Sequence, residues 1–179
     1  FGPITQLFLQ SREGFTQDLS LNAPALSETD LVWADFTQDG NQDVAMVGLD
    51  AGNPFTGIYL NNGFRGGYTA YNGSPALQTL NGASLASADI NHDGTQDLII
   101  TGENGGTTTA FVYTFNSGTR NFDFLTSLPG IQDGEIQMGD VNDDGFTDII
   151  MSGVDASNQP TSFVYLNNNG TGFTEDAIS

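Results

Sequence analysis

Residues 89–97 read DINHDGTQD, with aspartate at the first, fifth and ninth places, asparagine at the third and glycine at the sixth. Residues 35–43 (DFTQDGNQD) and 140–148 (DVNDDGFTD) repeat the arrangement, 54 residues earlier and 51 later. Other landmarks keep step with these ninemers. Each runs into an apolar stretch closed by glycine: VAMVG (44–48), LIITG (98–102) and IIMSG (149–153). A second apolar run follows, GIYL (57–60), FVYT (111–114) or FVYL (163–166), with Tyr59, Tyr113 and Tyr165 in register. Next come a turn rich in Asn and Gly and an aromatic residue, Tyr68, Phe122 or Phe173. The segment LFLQSREGFTQD (7–18) matches this second half, with Phe8 and Phe15 in the aromatic places. The chain thus holds three loop-led repeats, preceded by the back half of another.

Each repeat contains about four short runs of β-branched and aromatic residues between Gly, Asn and Asp. No stretch sustains a capped 3.6-residue apolar period, so helix is expected to be scarce. Repeats of this length with four strands are the pattern of propeller blades. The expected fold is therefore all-β: a β-propeller-like array of four-stranded antiparallel blades, three full repeats plus a half-blade. The half-blade occupies 1–19, contributing strands three and four of a preceding repeat. Blades one, two and three occupy 31–72, 84–126 and 135–176. In each, the run before the ninemer (31–36, 84–90 or 136–141) is expected to be the innermost strand.

Composition narrows the class. The 179 residues carry 22 acidic side chains against three basic ones, a formal charge of −19, and no cysteine. All three basic residues are arginines in the turns of the second half-repeats: Arg12, Arg65 and Arg120. Such a surface repels nucleic acid and anionic membranes and attracts divalent cations. No thiolate is available, and no apolar run approaches a membrane span. The first residues lack a basic n-region, so a secretory leader is expected to be absent or already removed.

Three carboxylates within nine residues repel unless a cation lies between them. Aspartates at places one and five, an oxygen-bearing side chain at three, the backbone carbonyl of place seven and the aspartate at nine form an all-oxygen donor set. Calcium takes six to eight such ligands, whereas magnesium keeps more water. Three Ca²⁺ sites are expected: Asp35, Thr37, Asp39, Asn41 and Asp43; Asp89, Asn91, Asp93, Thr95 and Asp97; Asp140, Asn142, Asp144, Phe146 and Asp148. Asn41, Thr95 and Phe146 contribute carbonyls. Thr37 is neutral and short, so the first site is expected to be the weakest. Asp143 is read as surface charge outside the ligand series. An EF-hand is excluded, because its twelfth-place glutamate is replaced by Met46, Ile100 and Met151 within strand-like runs. The bland alternative is a solvated Asx turn without metal.

The D-x-[NT]-x-D-G-x-x-D loop, the apolar run with its glycine, the tyrosine-bearing strand and the Asn/Gly turn resemble the FG-GAP/VCBS repeat family. Integrin α-subunit propellers and certain lectin propellers are similar. The resemblance implies that the loop joins the first two strands of a blade and that its calcium is mainly structural. Place three is Thr or Asn and not Asp, and the Gly-Ala-Pro signature is missing, so integrin ligand binding is not carried over.

Three and a half blades do not close a ring. The expectation is either a segment of a longer propeller or a subunit whose open edge strands pair with other copies, forming a ring or filament. A neighbouring chain could supply the half-blade's missing strands. The function expected first is a non-enzymatic, calcium-stabilised, secreted or cell-surface module for adhesion or structure, with glycans or a cell-surface protein as further partners. The alternative is a lectin using Trp33, Tyr68, Tyr71, Tyr113 or Tyr165, although each of these reads first as packing, Trp33 above all. Catalysis ranks last. The one histidine, His92, sits in a loop at a non-ligand place, and Glu28, Glu103 and Glu135 show no spacing typical of paired carboxylates. Asn72-Gly-Ser and Asn169-Gly-Thr are glycosylation sequons on expected surface turns, the first weakened by Pro75.

Overall fold

The computed structural model describes residues 2–63, 66–73 and 76–176. Arg65, Ser74 of the first sequon and Pro75 lie outside the described residues. The fold is all-β, with no helix among the described residues. An N-terminal hairpin pairs β1 (Leu7–Ser11) with β2 (Gly14–Asp18). Three four-stranded antiparallel sheets follow, each a meander in chain order. The first holds β3 (Leu26–Ala34), β4 (Asp43–Asp50), β5 (Asn53–Asn61) and β6 (Tyr68–Ala70). The second holds β7 (Asn81–Ala88), β8 (Asp97–Asn104), β9 (Thr107–Asn116) and β10 (Asn121–Pro129). The third holds β11 (Gln132–Gly139), β12 (Asp148–Val154), β13 (Pro160–Asn167) and β14 (Phe173–Asp176). Each acidic ninemer joins the first strand of a sheet to the second.

The sheets stack face to face as blades, with first strands adjacent: β7 lies against both β3 and β11. The period-two alternation of β4, β8 and β12 supplies the interfaces, because successive side chains leave opposite faces. Ala45, Val47 and Ile58 of the first blade bury against Leu98, Ile100 and Tyr113 of the second. Ile99, Ala110 and Val112 on its other face bury against Ile149, Met151 and Tyr165 of the third. Second strands covered on both faces read as the continuous apolar runs seen in the sequence. The upstream face of the first blade, with Val44, Met46 and Tyr59, is covered by Leu21 and Ala23 of the N-terminal arm.

The first strands begin earlier than the sequence suggests, at Leu26, Asn81 and Gln132. Each carries a β-bulge, between Ser27 and Asp30, Asn81 and Ser84, and Gln132 and Glu135. The bulged residue is left-handed in every case: Glu28 at φ 50, Gly82 at φ 53 and Asp133 at φ 48. Such a bulge bends the strand and brings its backbone close to the next. The glycine closing each apolar run lies at that crossing. A Cβ on Gly102 would meet Leu80 Cβ at 2.5 Å and the Asn81 carbonyl at 2.8 Å; one on Gly153 would meet the Gln132 carbonyl at 2.6 Å.

Trp33 is not in the core, contrary to its sequence reading. It is 42% exposed on β3, edge-on to Tyr68 with ring centroids 6.4 Å apart. Its side of β3 faces away from the second blade, and the hairpin β1–β2 supplies no inner strands to cover it.

Candidate metal centre in three acidic loops

The three loops share one hydrogen-bond frame. The first-place aspartate caps the turn: Asp35 accepts from the N–H groups of Asp39 (3.1 Å) and Gly40 (2.8 Å). Asp89 does so from Asp93 (3.1 Å) and Gly94 (2.9 Å), and Asp140 from Asp144 (3.1 Å) and Gly145 (2.8 Å). The fifth-place aspartate accepts from the seventh-place N–H, at 2.8 Å in each loop. The glycine at place six has φ of 84, 86 and 89, which a side chain would resist. Places one, three and five are thereby gathered around one turn. The third-place Asn91 and Asn142 also bridge to the fifth-place aspartates, Asp93 at 3.0 Å and Asp144 at 2.9 Å.

The ninth-place aspartate has a role that the sequence reading missed. Asp43, Asp97 and Asp148 are buried, and each opens the second strand of its blade. One carboxylate oxygen accepts the N–H of place two: Phe36 (3.1 Å), Ile90 (2.8 Å) or Val141 (3.0 Å). The other accepts the N–H of Asn61 (2.7 Å), Phe115 (2.8 Å) or Asn167 (2.8 Å) at the end of the third strand. This carboxylate straps loop, second strand and third strand together, alongside any part it takes in holding a cation. Its recurrence at place nine was the available signal.

Electrostatics bear on whether these residues suit a cation. Burial pushes the Asp97 carboxyl up to about 6; bonds from Phe115 and Ile90 oppose the rise, and the charges of Asp93 and Asp89 add to it. Burial raises Asp43 as well, against the Asn61 bond and with Asp39 contributing. Burial also acts upward on Asp93, but hydrogen bonds from Thr95 and Asn91 outweigh it and leave its carboxyl below the usual range. In the first loop, the buried Thr37 hydroxyl has no hydrogen-bond partner among the described residues. An unsatisfied buried hydroxyl costs about 1–3 kcal/mol. Orphaned at place three of an anionic turn, it fits a cation ligand. Among the described residues, no three carboxylate or imidazole side chains converge tightly enough to form a metal-holding group by themselves. The candidate donor set thus depends on neutral oxygens as well as carboxylates.

The fourth place links one loop to the next. Gln38, His92 and Asp143 share a left-handed backbone, with φ of 55, 57 and 59. Gln38 donates its Nε2–H to the Gly94 carbonyl of the second loop at 2.6 Å. The His92 ring stacks on Phe146 of the third loop, with centroids 4.5 Å apart and planes 17° apart. Asp143, at the equivalent place, is exposed.

The remaining candidates fall elsewhere. Tyr113 and Tyr165 are buried between blades, and Tyr71 is half-buried edge-on to Phe122. Tyr68 borders a cavity of about 480 Å³ between hairpin and first blade, with Asp18, Asn41, Asn61 and Gly67 also on its wall. Glu28 and Glu135 border a second cavity at the bulges, while Glu103 accepts bonds from Asn81 and Gly106 at the far end of β8. Asn72 and Asn169 are exposed.

Comparison with known families agrees with this architecture. Residues 35–100 match the family described as FG-GAP-like repeat, from the first aspartate of the first loop into β8. No curated protein matches the chain.

Proposed function

We propose, for a chain whose residues 35–100 match the FG-GAP-like repeat family, that each acidic loop binds one calcium ion and that the stabilised blades act as a non-enzymatic extracellular adhesion or structural module, assembling through open blade edges into a ring or filament. The observation that carries this reading is the threefold repetition of one anionic turn, with the Thr37 hydroxyl left without a partner in the first. Calcium would supply the positive charge that the crowded carboxylates lack. Asp35, Asp39, Asp89, Asp93, Asp140 and Asp144 would hold it with the third-place oxygens of Thr37, Asn91 and Asn142. The carbonyls of Asn41, Thr95 and Phe146 would complete the shell beside the ninth-place aspartates.

An extracellular setting agrees with loops of few charged ligands, since extracellular calcium modules work at about 10⁻⁴–10⁻³ M. At about 1 mM calcium and a Kd of about 0.1 mM, each site adds about 1.4 kcal/mol to stability, so three add about 4 kcal/mol. The non-enzymatic reading is supported by His92, the one histidine, whose ring is stacked on Phe146 in the loop layer. Calorimetric titration of metal-stripped protein should give three calcium ions per chain, with a rise in Tm on the order of 10 °C. Absence of heat, with unfolding curves identical in calcium and chelator, would overturn it.

A lectin is the second reading. The cavity walled by Asp18, Asn41, Asn61 and Tyr68 combines a carboxylate, two amides and an aromatic ring, the groups that recognise a sugar's hydroxyls and apolar face. A glycan array tests it, and Tyr68→Ala should abolish any signal found.

A further inference from the structure

The joint between blades is made twice inside this chain from the same places, and each half of it is also found unmated at one end. At each internal joint, the second-place residue of the upstream loop plugs into the downstream blade. Phe36 is fully buried and edge-on to Phe122, with centroids 5.2 Å apart. Ile90 is fully buried in the cluster that includes Tyr165 and Phe173. Beside each plug lies a second-strand residue on the downstream face, Ala45 or Ile99, also buried. The third copy of the plug, Val141, is 58% exposed, and its companion Ile150 is 45% exposed.

The receiving half is unmated at the other end. Strand pairing fixes the equivalence: Phe122 lies opposite Phe115, Phe173 opposite Asn167, and Phe15 opposite Gln10. Phe15 therefore occupies the place of Phe122 and Phe173, and Phe8, two residues before Gln10, that of Tyr113 and Tyr165. Tyr113 and Tyr165 are buried, whereas Phe8 is 51% and Phe15 71% exposed.

We infer that a second copy of this chain docks head to tail, with Val141 and Ile150 of one copy packing against Phe15 and Phe8 of the next. This deepens the assembly part of the proposed function by assigning it to blade faces, where the sequence had suggested edge strands. The argument for a second copy is continuity with an interface already formed twice, whose two complementary halves stand free on one chain. The halves differ, so the contact is heterologous and propagates into a closed ring or a filament. Each copy carries a formal charge of −19, so association strengthens as salt screens the repulsion.

The test is sedimentation velocity of the whole chain, from micromolar to near-millimolar concentration, at about 0.15 M salt with calcium. Wild type should form species beyond the monomer. Val141→Asp and Phe15→Asp change exposed side chains, so each should fold normally by circular dichroism and weaken association at least about tenfold. Mixed one to one, the two variants should give a dimer and nothing larger, because each retains one intact end. A wild type that stays monomeric throughout would overturn the proposal. So would variants that associate as wild type does, or a mixture that stays monomeric while wild type assembles. Calcium binding is measured on the same samples, so failure of assembly is distinguishable from failure of the cation reading.

Discussion

Replacing Asp97 by asparagine in metal-stripped protein tests the electrostatics of the loops directly. The Asp97 carboxyl rises from 3.8 to about 6 in the folded chain, chiefly through burial. Between those two values the native state holds more protons than the unfolded state, so stability falls as pH rises through the window. The full shift corresponds to about 3 kcal/mol, of which about 2 to 3 kcal/mol is lost between pH 4 and pH 7. Asparagine cannot ionise, so the variant should escape that loss. Other groups titrate in both proteins, which makes the difference between wild type and variant the quantity of interest. Urea denaturation followed by circular dichroism at both pH values should show the variant gaining about 2 to 3 kcal/mol on wild type towards pH 7. Saturating calcium should reverse the order at pH 7, because a bound cation turns the costly charge into a favourable one. A difference that does not change with pH in metal-free protein would show that the buried carboxylate carries no such cost, and would refute the reasoning.

Three further outcomes are expected. Phe36→Ala empties the joint between the first and second blades and should cost about 3–5 kcal/mol, read from urea midpoints. Gly102→Ala forces a Cβ against Leu80 and the Asn81 carbonyl and should lower stability by about 1–3 kcal/mol, visible as a reduced Tm. Thr37→Asp adds a charged ligand to the first loop; calorimetry should find tighter calcium binding there, and metal-free unfolding should show a less stable protein.

The ninemers and their spacing were sufficient to read the blades, because period-two alternation and turn glycines are local properties of the chain. The placement of each loop between first and second strands was legible for the same reason. Other features depend on partners distant in sequence. Nothing local marks Glu28 or Asp133 as left-handed, since the bulge is set by how the first strand meets Gly48 or Gly153. Trp33 looked like core because it lies on an inner strand, but among the described residues no blade packs on its side of that strand. The reach of Gln38 and His92 into the following loops arises only when blades stack. The strapping by Asp43, Asp97 and Asp148 was hidden behind their more obvious reading as ligands.

That strap bears on how the protein moves. A loop tied to its own third strand through one buried carboxylate does not open as an independent lid: release of the tie frees the amide at the end of β5, β9 or β13 at the same moment. Opening of a loop and fraying of its blade are then one cooperative event. The amides of Asn61, Phe115 and Asn167 should exchange with solvent as slowly as the strand centres, despite lying at strand ends. Ions held in such loops would leave at the pace of blade opening, making exchange a clock set by the sheet.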